Sequence, residues 1–554
     1  MVLQVSSHPR RTTPRRSSAT QAHAAYNFPS PMRGIDVSQP LVGGDPLTAV
    51  RMDNLIPRNL GVQLRRGYSR WVSNLAGEVR SLMQYHPPVG DPQLFAANDT
   101  GEIFDVTLPL GTGVIPAPVL TVLGGQPPGE WTSLNYTTDA GVHYMLMVNP
   151  GGGYWAYDGT TFTQITAGAG PMQISGVNPS NFAHIAVFKK HLVFVEMNTT
   201  KMWYLPTVGT IAGVAQAFDF GALFPNGGSL AMLLNWTFDG SSGGSGTGGT
   251  GGGMDTKLIA IADQGDVLVY TGSLVTFPSP DFVLSGRWYI GRVPVGRRFA
   301  IPYASDVIMV SERGLCFMTE LMRGEGFFTS TQTARQINSE LALQVASSLM
   351  SRYWEVEYLP REQLLVIKLP KYNNSDRQWA FEVNTKAFCG LLGIPMNTVE
   401  PFNGKSFCGD YDGNVWWIFE GASDGEVGGV AGLDLQGMVV TAFQPLGDPV
   451  RMKRFLMVKP SFISDNAPGV NSRLNPEWDL GLPTVAPVYS ATGESFWDSA
   501  LWDVAVWSGQ GSSFEAWAGA TGTGRYGSLS MRVRGAPDTI FVGWEALVEP
   551  GGIL

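Results

Sequence analysis

The residues of this chain that could carry out catalysis or bind a metal are few and widely spaced. The six histidines and three cysteines show no HExxH, CxxC or comparable ligand spacing. They are His8, His23, His86, His143, His184, His191, Cys316, Cys389 and Cys408. No Gly-x-Ser-x-Gly segment lies between a strand and a helix, where a serine nucleophile would need it. The sequence therefore predicts no catalytic residues, no cofactor and no metal site, and it predicts reduced cysteines in the core.

Two aspartates come closest to a metal site. Asp410 and Asp412 lie in a predicted hairpin turn, where their oxygens could ligate Ca²⁺. Carboxylates in such turns more often accept hydrogen bonds from the turn backbone. We therefore expect these two residues to stabilise the turn.

Three tryptophans five residues apart form a second candidate site. Trp497, Trp502 and Trp507 could present an aromatic platform to the apolar face of a sugar. The commoner use of tryptophan is burial, because the indole ring supplies a large apolar area to a thin β layer. The sequence favours burial and leaves the platform as the alternative.

The charge of the chain is unevenly distributed. Residues 1–70 contain ten arginines, no lysine and three aspartates, which gives +7. The remainder has 27 basic and 43 acidic residues, which gives −16 and a total of −9. An acidic body repels a polyanion, so this part of the chain is not expected to bind nucleic acid through its phosphates. The arginines that could contact a partner are Arg10, Arg11, Arg15, Arg16, Arg65 and Arg66.

The first 30 residues are predicted to form a basic, flexible arm. Their arginine pairs stand among Ser, Thr and Pro, and no apolar stretch follows as a secretory signal would require. The arm could bind a partner protein, touch DNA or lack a fixed structure. No apolar run in the chain reaches roughly 18 residues, so the sequence predicts no membrane span.

One pattern recurs along the middle of the chain. An apolar run is followed by a small polar turn that ends in glycine, and then by a second run rich in aromatic residues. The glycine supplies the positive φ that closes a short hairpin, and both runs favour strands. The copies are Leu94–Phe104, Tyr144–Tyr157, His191–Tyr204, Leu258–Tyr270, Val307–Phe317, Leu364–Phe381 and Ser406–Trp417.

The spacing of these hairpins predicts the fold class. They begin near residues 94, 143, 191, 258, 307, 364 and 407, so most steps are close to the roughly 40–50 residues of a four-stranded propeller blade. We predict an all-β protein: a β-propeller of six or seven blades, with a smaller β domain formed by the chain ends.

The domain organisation follows from composition. We predict the basic arm at 1–30, an extended or strand segment at 31–75, the propeller at 76–440 and a C-terminal β domain at 441–554. The Gly-rich tract 238–253 is predicted to be a flexible loop of the propeller. One helix is predicted, capped by Asn338, with an apolar stripe at Leu341, Val345 and Leu349 that continues to about Met350.

The two ends of the chain resemble those of a known family. Asp53–Pro57 followed by Gly61–Tyr68 resembles the N-terminal strand of nozzle proteins from short-tailed bacteriophages, also called tail tubular protein B or packaged-DNA stabilisation proteins. Glu549–Leu554 and the Trp-Asp pairs at Trp497 and Trp502 are similar to the C-terminal part of that family. The hairpin repeats between them are similar to its central propeller.

What the resemblance implies is a structural protein of the virion tail. Six copies would form a ring attached below the portal and adaptor, near the tail fibres or spikes. The ring would retain the packaged genome and conduct double-stranded DNA during ejection without binding it specifically, and an acidic body suits that role. The residues alone leave a glycan-binding propeller, an adhesin or receptor-binding module, as the alternative.

Overall fold

The predicted hairpins are the central strands of seven blades. The computed structural model describes residues 23–111, 113–238, 255–274, 282–324, 333–370, 377–489 and 511–551. Within these residues, each hairpin supplies the second and third strands of one sheet. The first strand of each sheet contacts the first strand of the next, and the seventh contacts the first, so the sheets form a closed ring. The predicted fold class, an all-β propeller, is confirmed.

The strands before the ring and in blades one to four follow the chain in order. Five strands precede the ring: β1 (Ala24–Pro29), β2 (Ala49–Asp53), β3 (Leu55–Arg58), β4 (Gly61–Leu64) and β5 (Tyr68–Val72). Blade one contains β6 (Val79–Tyr85), β7 (Gln93–Asn98), β8 (Glu102–Asp105) and β9 (Leu120–Thr121). Blade two contains β10 (Thr132–Thr137), β11 (His143–Asn149), β12 (Gly153–Tyr157) and β13 (Phe162–Ala167), extended by β14 (Gln173–Ser175). Blade three contains β15 (Phe182–Phe188), β16 (His191–Glu196), β17 (Lys201–Tyr204) and β19 (Gln216–Asp219). Between β17 and β19 the chain forms β18 (Gly213–Val214), which pairs with β14 of blade two. Blade four contains β20 (Leu230–Phe238), β21 (Asp255–Ala262), β22 (Asp266–Thr271) and β23 (Val283–Tyr289).

The remaining blades and the C-terminal strands continue this order. Blade five contains β24 (Ala300–Tyr303), β25 (Asp306–Ser311) and β26 (Gly314–Phe317), followed by helices α1 (Met318–Met322) and α2 (Arg335–Ser348). Blade six contains β27 (Glu355–Leu359), β28 (Leu364–Lys368), β29 (Gln378–Glu382) and β30 (Ala387–Leu391). Blade seven contains β31 (Thr398–Phe402), β32 (Lys405–Gly409) and β33 (Val415–Ile418). The later strands are β34 (Ser423–Glu426), β35 (Leu433–Asp434), β36 (Gln436–Thr441), β37 (Lys453–Ser464), β38 (Gly469–Pro476), β39 (Ser512–Glu515), β40 (Ala518–Gly519), β41 (Thr523–Gly524), β42 (Gly527–Arg534) and β43 (Ile540–Pro550). Short 3₁₀ turns lie at Pro179–Asn181 and Gly221–Leu223.

Blade seven takes its fourth strand from the N-terminal part of the chain. β33 pairs antiparallel with β5, so that Val415 lies opposite Val72 and Trp417 opposite Ser69. β5 leads directly into blade one, so the last blade is tied covalently to the first. The ring cannot open between them without breaking the β5–β33 hydrogen bonds.

The two chain ends build the smaller β unit. In one sheet β43 lies between β4 and β37 and also pairs with β1. In the other, β2, β36, β42 and β38 continue the sheet of blade six outward from β30. The predicted unit formed by the chain ends is therefore present. Because β36 spans residues on both sides of 440, the boundary predicted at that residue falls within a strand.

The predicted helix is present, but Asn338 does not cap it. α2 begins at Arg335, after Ala334, and Asn338 is buried in its second turn. There the Asn338 Oδ1 atom accepts from the backbone N–H of Leu315 at 2.9 Å, which fixes the helix to β26. Leu341 and Val345 are fully buried, as the apolar stripe predicts. The helix packs against β25 and β26 on the outer side of blade five.

Exchange of Gly265 for alanine tests the hairpin turns. Gly265 closes the β21–β22 turn with a φ of 94°, and an added Cβ would collide with the backbone carbonyl of Gly291. We expect Gly265→Ala to lower the free energy of unfolding by about 3 kcal/mol or more, measured by urea denaturation. Gly404→Ala is the control, because Gly404 has a φ of 70° and open space around it, and should cost only about 1 kcal/mol. Equal losses for the two variants would contradict the steric account.

Candidate functional site

The residues predicted to contact partners fall into two groups. One group lies outside the described residues and comprises Arg10, Arg11, Arg15, Arg16, Trp497, Trp502 and Trp507. Nearly all of the predicted Gly-rich loop 238–253 also lies outside the described residues. The other group, Arg65 and Arg66, follows β4 and is well defined. Arg65 is 2% exposed, whereas the side chain of Arg66 is 43% exposed.

All hydrogen-bond donors of the Arg65 guanidinium bond to other residues of this chain. It donates to both carboxylate oxygens of Asp424 at 2.6 Å and to Oδ1 of Asn54 at 2.9 Å. It also donates to the backbone carbonyl oxygens of Arg66 and Leu392, both at 2.9 Å. Five bonds occupy all five donors of the group, so Arg65 braces the chain-end strands against β34. This corrects the expectation that Arg65 contacts a partner.

Arg66 remains available at the surface. Its guanidinium forms an ion pair with Asp538 at 2.6 Å, and both side chains are 43% exposed. The hydrogen bond that Arg66 donates to Asp538 raises the pKa of Arg66, although partial burial opposes this effect. The role of Arg66 as a contact residue stays a prediction.

Described parts of the segments that carry the family resemblance lie in one sheet, namely β3 and β4 from the N-terminal segment and Glu549 and Pro550 of β43 from the C-terminal one. β4 pairs with β43, so that Val62 lies opposite Phe541. β1 pairs with the other part of β43, and the rings of Phe28 and Trp544 stack with their centroids 4.6 Å apart. The two ends, almost 500 residues apart in the sequence, are therefore parts of one structural element.

A single arginine crosses the axial channel of the propeller. Arg298 precedes the first strand of blade five, and its guanidinium donates to the backbone carbonyls of Arg80 (3.0 Å) and Trp131 (2.9 Å), in blade one and just before blade two. It also donates to Glu355 of blade six at 3.2 Å and Thr398 of blade seven at 3.0 Å. A group bonded to residues of four other blades must lie across the channel, so Arg298 closes the channel at this end.

Two partly buried carboxyl groups, those of Glu357 and Glu400, lie near this arginine. Burial, and then the neighbouring Glu355, raise the pKa of Glu357 in β27 to about 8. Burial, Glu357 and Glu355 likewise raise the pKa of Glu400 in β31 well above its usual range, while Arg298 lowers both pKa values by less. Glu357 is therefore protonated at neutral pH, because its pKa lies above 7.

The opposite side of the channel holds a neutral histidine. Burial, and then the nearby Arg297, lower the pKa of His184 in β15 to about 3. Its imidazole is thus uncharged at neutral pH, as expected for a structural histidine. The described channel residues include a structural cation, carboxyl groups with raised pKa values and a neutral imidazole, and this set fills and braces the ring.

Sequence reasoning missed these channel residues, although a signal was present. Glu355 and Glu357 alternate with Val356 in an otherwise apolar strand, and Arg297 and Arg298 stand together just before another strand. The first strand of each blade lies nearest the axis, where the blades converge, so its charged residues lie close to the channel. That inference needs the strand order within each blade, which the hairpin pattern did not supply.

The raised pKa of Glu357 predicts how stability depends on pH. The folded chain holds this proton up to about pH 8, whereas the unfolded chain releases it near pH 4.3. Stability should therefore fall as the pH rises between these values, because the folded state binds more protons. We expect Glu357→Gln to flatten this slope and to raise the melting temperature at pH 8 relative to the unmodified chain. Parallel slopes for the two proteins would contradict the assignment.

Of the two aspartates considered as calcium ligands, Asp410 stabilises the turn through its side chain, whereas the side chain of Asp412 is exposed. Asp410 Oδ1 accepts from the backbone N–H groups of Asp412 and Asn414, and Oδ2 accepts from the indole N–H of Trp416 at 2.7 Å. Among the described residues, no group of three or more His, Cys, Asp or Glu side chains is placed to hold a metal ion. The three cysteines are buried and form no disulfide, as predicted.

Comparison with known proteins identifies no family for this chain. No protein-family model and no curated protein matches the chain. Among solved structures, the chain is similar to the crystal structure of Saccharomyces cerevisiae Sqt1, with 10% identity and a TM-score of 0.34 over 68% of this chain and 96% of Sqt1. So weak a likeness carries no functional argument, and the fold rests on the strand pairing. None of the described helices is long and apolar enough to span a bilayer.

Proposed function

We propose that this chain is a structural subunit of a bacteriophage tail, a hexameric nozzle attached below the portal and adaptor. The observation that carries the proposal is the sheet in which β4 pairs with β43. The N-terminal segment lies against one end of β43, and Glu549 and Pro550 of the C-terminal segment lie at the other end of the same strand, beside a closed propeller. If both segments belong to one functional element, their resemblance to one family has a common structural basis.

The closed axial channel fits a conduit formed between copies. Arg298 blocks the channel of the propeller itself, so DNA cannot pass through a single subunit. A passage would have to lie on the axis of a ring of subunits. The charge of −16 on residues 71–554 would let a duplex slide through such a ring without the tight, salt-dependent binding that a basic lumen produces.

The partners in this proposal are further copies of the chain, the portal–adaptor complex and the tail fibres or spikes. The basic arm, with Arg10, Arg11, Arg15 and Arg16, offers positive charge for an acidic surface of the adaptor. Arg66, at the surface of the chain-end sheet, is a second candidate contact. The virion tail would then be the location of the protein.

Sedimentation of the full-length chain tests this proposal. The chain alone, and the chain mixed with portal–adaptor complex, are compared by analytical ultracentrifugation. We expect a species with the mass of six chains, or co-sedimentation of six chains with each adaptor ring. A monomer at every concentration, both alone and in the mixture, would rule out the nozzle.

A further inference from the structure

A cleft between blades seven and one forms a cavity of about 650 Å³. It lies at the end of the propeller opposite Arg298, where the first strands of these blades end. Blade seven supplies an aromatic wall formed by the half-buried ring of Trp71. This ring meets that of the buried Phe407 edge to face at 5.1 Å. The indole N–H of Trp71 donates to the carbonyl of Val106 in blade one at 2.9 Å, which holds the two blades in fixed relation across the cleft.

One ammonium group is held against this aromatic wall. The Nζ atom of Lys405 lies 4.5 Å from the ring centroid of Trp71 and 4.0 Å from that of Trp417. Lys405 forms no ion pair with any described residue, so the two rings fix its position and its N–H groups remain able to donate. The cleft therefore has a positioned hydrogen-bond donor beside an apolar surface.

The opposite wall and the rim carry acceptors and amides that the chain does not use. Asp91 and Asn403 are exposed in the cleft and have no side-chain hydrogen bond to a described residue. Asp105 uses only Oδ1, which accepts from Thr107, so its Oδ2 is free. Gln93 uses only Oε1, which accepts from the hydroxyl of Tyr157, so its amide N–H groups are free.

We infer that this cleft binds a neutral saccharide of one to three rings. Sugar rings have apolar C–H faces that pack on aromatic side chains and hydroxyl edges that both donate and accept. The cleft presents that combination, since its aromatic wall is flanked by carboxylates, amides and one ammonium. The carboxylates of Asp91 and Asp105 outnumber the ammonium of Lys405, so their charge disfavours the binding of a phosphate. The ammonium in turn repels a cationic ligand.

Saccharide binding can be measured on the full-length chain by saturation-transfer NMR. The probes are glucose, galactose, mannose, N-acetylglucosamine, maltose, lactose and chitobiose at about 10 mM, which detects millimolar binding. We expect at least one of them to bind. Asp91→Ala and Asn403→Gly should each weaken that binding about tenfold, the loss expected for one hydrogen bond to a well-placed group. Neither variant should disturb folding, because both side chains are exposed and unbonded.

Asp412→Ala is the matched control, because Asp412 is an exposed carboxylate in the turn at the other end of blade seven. It should bind the probe like the unmodified chain. Absence of binding by all seven sugars, or equal affinities of the cleft variants and the unmodified chain, would overturn the inference. So would binding of inorganic phosphate or a dipeptide in place of the sugars. The inference does not depend on ring formation, which sedimentation measures separately.

Discussion

Arg298→Met is expected to lower the free energy of unfolding by about 3–5 kcal/mol, measured by urea denaturation. Methionine fills a similar volume but cannot donate, so the carboxylate of Glu355, which is 6% exposed, loses its cation. Thr398 and the backbone carbonyls of two further blades also lose a donor. The effect is large because the Arg298 guanidinium bonds to four blades besides its own, so the substitution removes all of these links between blades at once.

Two further variants make this prediction specific. Arg361→Met removes an ion pair with Glu420 in which the side chains are 38% and 30% exposed, and it should cost less than about 1 kcal/mol. Adding Glu355→Gln to Arg298→Met should recover part of the loss, because the unpaired charge disappears. A loss below about 1 kcal/mol for Arg298→Met, or no recovery in the double variant, would contradict the role of Arg298 as a brace.

Arg65→Met is expected to cause a loss of similar size, about 3–5 kcal/mol. The change leaves Asp424, whose side chain is 13% exposed, without its bidentate partner. It also removes the donor to Asn54 and to the linker between blades six and seven. Asp424→Asn should cost nearly as much, and the double variant should cost less than the two single losses combined, because both changes break one interaction.

The neighbouring residue supplies the control for Arg65. Arg66→Met removes a pair with Asp538 in which both side chains are 43% exposed, so its expected cost is less than about 1 kcal/mol. Limited proteolysis adds a second measurement, since Arg65→Met should expose the chain-end strands to cleavage before the blades. Equal effects of the variants at the two adjacent arginines would contradict the distinction between an internal brace and a surface pair.

The hairpins could be predicted because their signals are local. A glycine such as Gly101 or Gly314, with φ of 88° or 106°, lies a few residues from both strands that it connects. The blade count was predicted only as six or seven because any one of the seven hairpins could have been an accessory hairpin outside the ring. Two blades also lack a fourth strand that directly follows their hairpin. The fourth strand of blade seven comes from residues 68–72, and α2 takes the place of a fourth strand in blade five.

The channel and the chain-end brace could not be predicted in the same way. The side-chain partners of Arg298 lie between 57 and 217 residues away, and Asp424 lies 359 residues from Arg65. A sequence pattern contains no information about such pairs until the order of the blades is known. The prediction for Asn338 was wrong for a related reason. Its residue type suits a helix cap, but in the structure it lies within the helix and its side chain bonds to Leu315 of β26.

Electron microscopy of the purified full-length chain, alone and with its portal–adaptor complex, tests the central claim most directly. The measurement is the rotational symmetry of the particles and the presence of an open passage on the symmetry axis. The nozzle proposal predicts six-fold rings with a passage between subunits while each propeller channel stays filled. Isolated single propellers in both samples would contradict it.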